Sequence, residues 1–352
     1  MDTKRQKVES LWKTCFDDTD EFVQFYFDRK YRDENALLHE ENGQVVAALQ
    51  MIPYPMTWAG TTLQASYISG ACTLPEARNK GIMTSMLAEA FRVMYHRGID
   101  LSFLIPAEPW LYGYYQKTGY APVFEHTWET YIPTVPASAV VSLNIPAAYA
   151  ESLAKDCFPF FSREMQKREC CVQHSYDDFV TILQDHYASG GRLLITTSQT
   201  ENPSITGLAF ALPAENVIQI SELLGESPEV RTQLLDTASR LWDRPVIWKR
   251  PAQGGKSEKG GMARIIHAEK MLTRFAASYP HTEFTLQITD PLLPDNNGYY
   301  TVSNGYCHKK KNIEKENSVH MDMFTLTQAL LGGLPGFPAF PLRQPYLSLM
   351  LD

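Results

Sequence analysis

Short strands alternating with amphipathic helices predict a mixed α/β (α+β) protein of more than one domain. Three observations carry that expectation. The 352 residues make, at about 150 per domain, two or three domains. Apolar residues switch repeatedly between helical spacing and short continuous or alternating runs. The first and middle thirds also share a coarse strand–helix order. Composition agrees, since 44% hydrophobic and 20% charged residues exclude wholesale disorder. Thirty-two Lys and Arg against 40 Asp and Glu leave a formal charge of -8, which argues against nucleic acid as a partner. No apolar run approaches the roughly 18 residues of a membrane span, and Met1–Arg5 leads into no signal-peptide core, so a soluble, cytoplasmic protein is expected. The six cysteines contain no CxxC and the nine histidines no HxxxH or HExxH, so neither a disulfide scaffold nor a metal is implied.

Taken in order, Val8, Leu11, Trp12, Cys15 and Phe16 follow the spacing of an amphipathic helix. Asp20 is the expected cap of a second helix carrying Phe22, Phe25, Tyr26 and Phe27, aromatics whose default role is core packing. Ala36–His39 and Val45–Ile52 flank Asn42-Gly43, a hairpin signal because both residues tolerate positive φ. A strand ending near Ala71–Leu74 leads to a helix with Ile82, Met83, Met86, Leu87, Ala90, Phe91 and Met94 on one stripe and Gly98 as its stop. Then come a buried strand Leu101–Ile105, a short aromatic helix Trp110–Lys117 closed by Gly119, and a strand Val123–Ile132. The prolines of Pro133–Pro146 mark a domain boundary. The middle third reads as helix Tyr176–Tyr187, strands Arg192–Thr197, Thr206–Leu212 and Val217–Leu224, and helix Glu229–Trp242. A glycine-rich linker at Gly254–Gly261 precedes a helix over Ala263–Phe275, a strand Phe284–Thr289, a turn at Asp295–Gly298 and a helix Leu326–Leu331. Lys309-Lys310-Lys311 reads as a solvated loop. The tail from Gly336 is proline-stiffened and then apolar over Tyr346–Leu351, which favours docking over fraying.

The chemistry concentrates after the third strand, in Cys72-Thr73-Leu74-Pro75-Glu76-Ala77-Arg78-Asn79-Lys80-Gly81-Ile82-Met83-Thr84. A helix N-terminus leaves about four backbone N–H groups unpaired, and its dipole favours anions. Glycine lets a pyrophosphate approach the backbone, and Arg78 and Lys80 add charge. Taken alone, R-x-x-G reads first as a solvated basic start of a core helix, because the pattern is common by chance. Tyr114-Tyr115-Gln116-Lys117-Thr118-Gly119-Tyr120 follows at the end of the next strand–helix unit. Elsewhere Gly255-Lys256-Ser257 fails as a P-loop because Arg250 stands where a glycine is needed. Cys72 has no nearby histidine and reads as a buried strand cysteine.

The two motifs, in this order and spacing over residues 66–125, resemble the GNAT family of acetyl-CoA-dependent N-acyltransferases; Met83 departs from the Gly or Ala common there. Ala263–Phe275 with Phe284–Pro291 and Asn296-Asn297-Gly298 looks like a sterol-carrier-type module, and the series resembles the Eis acetyltransferases. The resemblance implies a catalytic GNAT domain at 1–133, a degenerate GNAT-like domain at 134–258 and a sterol-carrier-like domain at 259–352. It implies acetyl-CoA as co-substrate, backbone N–H groups of Cys72 and Leu74 on the pantetheine and thioester, and Arg78, Asn79, Lys80, Gly81, Ile82, Met83 and Thr84 around the pyrophosphate. Tyr115 would donate to the leaving sulfur, and the main-chain carboxylate of Asp352 either serves as the base or merely closes the fold. The acceptor would be a small-molecule or peptide amine attacking directly in a ternary complex; assembly into a homo-oligomer is left open. The middle domain, whose helix entry Gly225-Glu226-Ser227-Pro228-Glu229 is acidic, reads as a scaffold without CoA. The rival expectation is a non-catalytic carrier of an acyl-CoA or lipid.

Overall fold

The computed structural model describes residues 2–133, 150–252, 257–311 and 318–351. The expected boundary at Pro133–Pro146, all but Pro133, and Asp352 therefore lie outside the described residues, as do residues 254–256 of the expected glycine-rich linker, whose residues 258–261 are strand instead. The chain divides into two units, one of residues 1–124, 260–343 and 352, the other of residues 125–259 and 344–351. Among the described residues, no helix is long and apolar enough to cross a membrane.

In the first unit, α1 (Lys4–Cys15) and α2 (Asp20–Arg29) precede three antiparallel strands, β1 (Ala36–Glu41), β2 (Gln44–Trp58) and β3 (Thr61–Thr73). The cap of α2 is Thr19, not Asp20. Its hydroxyl accepts the Phe22 N–H at 3.2 Å, which leaves Asp20 in the first turn, where its charge complements the dipole. Asn42 and Gly43, with φ of 51° and 81°, make the β1–β2 hairpin. From β3 the chain enters α3 (Ile82–His96), returns as β4 (Leu101–Leu104), and passes through α4 (Leu111–Gln116) into β5 (Ala121–Tyr131). Of the aromatics of α1 and α2, Trp12, Tyr26 and Phe27 are core, with Trp12 and Tyr26 centroids 4.6 Å apart, whereas Phe22 and Phe25 are half-buried.

The second unit repeats this order. Helices α5 (Ala150–Gln166) and α6 (Tyr176–Ala188), separated by the short β6 (Cys170–Val172), precede antiparallel β7 (Arg192–Thr197), β8 (Ile205–Pro213) and β9 (Ile218–Gly225). Helix α7 (Pro228–Trp242) then leads to β10 (Val246–Pro251), which is parallel to β9 and antiparallel to the second half of β5. Sequence reading misses α5 because Pro159 interrupts it, although its stripe of Leu153, Ala154, Cys157, Phe160, Phe161 and Met165 is buried. It also misses β10.

The rest of the chain belongs mostly to the first unit. Strand β11 (Glu258–Ile265) runs antiparallel to β4 over Met262–Ile265, so Ala263–Ile265 are strand rather than helix. Helix α8 (Ala268–Ser278) starts after Ile266 and His267. A second sheet has the order β14 (Tyr306–Lys310), β13 (Gly298–Ser303), β12 (Phe284–Thr289), β15 (Val319–Asp322), followed by α9 (Met323–Leu331). Lys309 and Lys310 are thus strand residues, and Lys309 Nζ donates to the Asp295 carbonyl at 2.5 Å. This part packs on the sheet of its own unit: Trp58 Nε1 donates to Leu330 O at 2.9 Å, and Lys270 Nζ to Gly98 O at 2.6 Å.

Candidate active site

The site starts with a strand that outruns its partner. β3 and β4 are paired in parallel only from Ala65 to Tyr67, opposite Leu101–Phe103. Beyond Tyr67, β3 continues to Thr73 along β2. The register slips where Ser69 and Cys72 face Gln50 and Ala48, two residues of β3 (Gly70 and Ala71) standing against Leu49. Gly70 adopts φ 57° there, the glycine-assisted bulge that bends a strand away from its neighbour. Past Tyr67 the β4-side edge of β3 pairs with no strand among the described residues, and this open edge is the slot.

Past the bulge the amide directions follow from alternation. Leu74 N–H donates to Val46 O at 2.9 Å, so the donor expected for the pantetheine is spent within the sheet. Cys72 shares its parity and faces Ala48, which turns its amide toward β2 as well. The amides that face the slot are those of Ala71 and Thr73. A one-residue offset in the expected donors is the correction, and the bulge is its physical cause. Ser69-Gly70-Ala71 inside a strand pattern was the signal that could have located it.

After Leu74 a short 3₁₀ turn (Pro75–Ala77) delivers Arg78. Arg78 is exposed, and its Nε donates to Thr73 O at 3.0 Å, so the guanidinium lies back along the end of β3. Asn79 and Gly81 both take left-handed backbone, at φ 63° and 78°, and turn the chain into α3. Gly81 is the cap residue of α3 and supplies no side-chain bond. The first amide taken up by the helix is that of Ser85, which donates to Gly81 O at 3.0 Å. The amides of Ile82, Met83 and Thr84 thus head the helix without a side-chain cap. A Cβ on Gly81 would meet nothing within 4 Å, so glycine is required by the backbone angle and the space before the helix is open. Lys80 is exposed, with Nζ 3.6 Å from a Glu41 carboxylate oxygen; Ile82 points its side chain into the core.

The second motif meets the first through one bond: the Tyr114 hydroxyl lies 3.2 Å from Thr84 Oγ1. Tyr115 is buried at 7% exposure, its ring 5.2 Å from Tyr114 and 5.8 Å from Tyr120, and its hydroxyl bonds to no described residue. Burial, and next Tyr114, raise its pKa, which keeps the phenol protonated and able to donate. Gly119, at φ 88°, makes the turn into β5. Sequence reasoning misses what supports that turn. Buried Arg264 donates from Nε to Thr118 O at 2.8 Å and from Nη2 to Asp290 at 2.7 and 2.8 Å, with its guanidinium 4.1 Å over the Phe91 ring. Nothing local in the sequence marks Arg264, because its partners are 146 and 26 residues away. The Asp352 carboxylate, expected as a base, lies outside the described residues.

Residues 2–123 match the family model described as an acetyltransferase (GNAT) domain. The first domain is thus similar to the GNAT family over residues 2–123. This makes the chain an enzyme of the acetyltransferase class. Residues 269–335 match a sterol carrier protein domain. Solved structures share the fold over nearly the whole chain. A probable N-acyltransferase from Enterococcus faecalis V583 matches at TM-score 0.75 and 16% identity, covering 94% of this chain and 88% of that one. Eis1 from Mycobacterium abscessus matches at 0.72 and 13%, covering 98% and 97%. A GCN5-related N-acetyltransferase from Anabaena variabilis matches at 0.70 and 18%, covering 97% and 96%. The chain therefore shares its mixed α/β fold with these proteins. No curated protein sequence matches the chain.

Proposed function

We propose that this GNAT enzyme moves an acetyl group from acetyl-CoA to an amine by direct attack in a ternary complex. The observation that carries the reading is the uncapped start of α3, where Gly81 leaves open space before three amides and Arg78 and Lys80 stand beside it. A pyrophosphate there would accept from the amides of Ile82, Met83 and Thr84 and neutralise both side chains. Pantetheine would run along the slot edge of β3, accepting from the Ala71 and Thr73 amides, one of which would polarise the thioester oxygen. Tyr115, protonated and without a described partner, would donate to the departing thiolate.

The sterol-carrier match would suit a carrier instead. In this chain, however, that region packs Phe275 against Phe284 and Phe340, at centroid distances of 5.7 and 5.2 Å, and holds the Thr118 turn through Arg264 and Asp290. Both features suit a support for the active site. The test is to incubate the protein with acetyl-CoA and a panel of polyamines, aminoglycosides and peptide amines and follow free thiol. Turnover with any amine is expected; tight CoA binding with no turnover across the panel would favour the carrier.

A further inference from the structure

We propose that Arg264 is a positioning residue for Tyr115, anchoring the turn behind it on Asp290, inside the region that matches a sterol carrier domain. The inference rests on Tyr115 as the donor to the departing thiolate. Arg264 is itself fully buried and acts through the turn that follows α4.

Tyr115 stands on a helix of six residues, too short to hold its own geometry. The turn behind it supplies what the helix lacks. The Tyr115 carbonyl accepts from Thr118 N–H at 2.9 Å, from Thr118 Oγ1 at 2.8 Å and from Tyr120 N–H at 3.3 Å. Thr118 is fixed in turn by its own carbonyl, which accepts from Arg264 Nε at 2.8 Å. The chain passes so close to the guanidinium that a Cβ on Gly119 would lie 3.1 Å from Arg264 Nε and 3.1 Å from Met323 Cβ. The glycine of the second motif is therefore required twice, by its φ of 88° and by this approach.

The other end of Arg264 is held as firmly. Nη2 donates to both Asp290 carboxylate oxygens, at 2.7 and 2.8 Å, and Nη1 to Ile265 O at 3.0 Å. Asp290 is fixed by three more donors, the Leu292 and Leu293 N–H groups at 3.1 Å each and Asn296 Nδ2 at 2.9 Å. The guanidinium lies 4.1 Å over Phe91, whose ring is 5.9 Å from Tyr120, and Tyr120 packs on Tyr115 at 5.8 Å. Arg264 thus reaches Tyr115 by two routes, the Thr118 carbonyl and the stacked rings. Replacing so deeply buried a pair by apolar residues is often neutral for stability, since desolvation consumes what attraction returns. Stability alone therefore does not account for it. A planar fork with fixed donors does set position, which an ammonium or an apolar side chain cannot.

The test uses the full chain with acetyl-CoA and the fastest amine of the panel. Arg264→Lys keeps a charge opposite Asp290 but loses the fork. It should lower kcat by about tenfold, the effect of a small misplacement of a reacting group, and leave the KM for acetyl-CoA and for the amine nearly unchanged. The double variant decides the route. With Tyr115→Phe already in place, Arg264→Lys should lower kcat no further, because the hydroxyl it positions is gone. If Arg264→Lys does not fold, Thr118→Val replaces it. That change removes only the Oγ1 bond to the Tyr115 carbonyl, and should give a smaller loss of kcat that again vanishes beside Tyr115→Phe. Wild-type kcat in the folded single variant, or losses that multiply in the double variant, would overturn the proposal and leave Tyr115 as the donor. Full kcat in Tyr115→Phe alone would overturn both.

Discussion

The two GNAT-like halves build the same strand–turn–helix device, and one of them closes it. In each, a strand is paired with its parallel neighbour over three residues, Ala65–Tyr67 in β3 and Ile218–Ile220 in β9, and then runs on before entering a helix. At α3 the entry is Gly81, with no side-chain cap and open space before it. At α7 the entry is capped and acidic. Pro228 has no N–H, Val230 N–H donates to Ser227 Oγ at 3.3 Å, and Glu229 stands in the first turn. A Cβ on Gly225 would meet Arg231 Cγ at 2.7 Å, and Arg231 donates to Gly225 O at 2.9 Å. Past its parallel pairing, β9 is met by the chain's own tail. Ser348 Oγ donates to Glu222 at 2.6 Å, Lys249 Nζ of β10 donates to Leu347 O at 3.3 Å, and His174 Nε2 lies 3.0 Å from Ser348 O. A repeated fold therefore keeps its architecture when the entry to its helix is filled and capped from within, and the proposed acetyl-CoA site is at the end left open.

The largest effect is expected where the closed half stores charge. Glu222 is fully buried, paired with Arg168 and bonded to Ser348. Burial alone would raise its pKa, but Arg168 brings it net below the ordinary value. Glu222→Gln takes the carboxylate from the Arg168 guanidinium and should cost about 3 kcal/mol in thermal or denaturant unfolding. Because the folded pKa is the lower one, the contribution is complete above the unfolded value of about 4.3 and lost as pH falls through the folded value. The Tm difference between variant and wild type should therefore shrink below about pH 4. An undiminished difference in acid would remove the ion pair from the account.

The next two effects belong to the open half. Tyr115→Phe removes the donor proposed for the leaving thiolate and should lower kcat by about 10²-fold with little change in acetyl-CoA affinity, while Tyr114→Phe, which loses only the bond to Thr84, should be milder. Equal losses would make Tyr115 structural. Arg78→Ala should raise the KM for acetyl-CoA about tenfold or more, since a charge-assisted bond to phosphate is worth about 1.5–3 kcal/mol, and leave the amine KM nearly unchanged. An unchanged acetyl-CoA KM would place the pyrophosphate elsewhere.

Most elements of the open half were legible because their signals are local. Asn42-Gly43 needs only its two residues to announce a hairpin, and the stripe from Ile82 to Met94 needs only its period. The repeat in the second half was fainter for the same reason. Pro159 breaks the helical pattern of α5, and β10 is a short strand defined by its neighbours. What stayed hidden depends on pairing across the chain. The direction of the Leu74 amide is set by a bulge against Leu49, and the support of the Tyr115 turn by Arg264 is set from far down the sequence. Motif spacing finds the residues of a site; which of their backbone groups remain free is decided by partners it does not contain.

The smallest effect sharpens the comparison most, because it reopens one end of the closed device. Ser227→Ala removes the acceptor of the Val230 N–H, and should lower stability by about 1 kcal/mol, measured as a fall in Tm. Neither kcat nor the acetyl-CoA KM should move. Inorganic pyrophosphate should also gain no affinity for the variant, because freeing one amide leaves Glu226 and Glu229 at the entry and the Arg231 side chain against Gly225. If pyrophosphate bound and raised the Tm of Ser227→Ala above that of the wild type treated alike, the cap alone would be what separates the halves, and the acidic turn would be incidental. With no gain, the closure is shared among the proline, the carboxylates and the filled glycine, and a phosphate site could not be recovered in this half by one substitution.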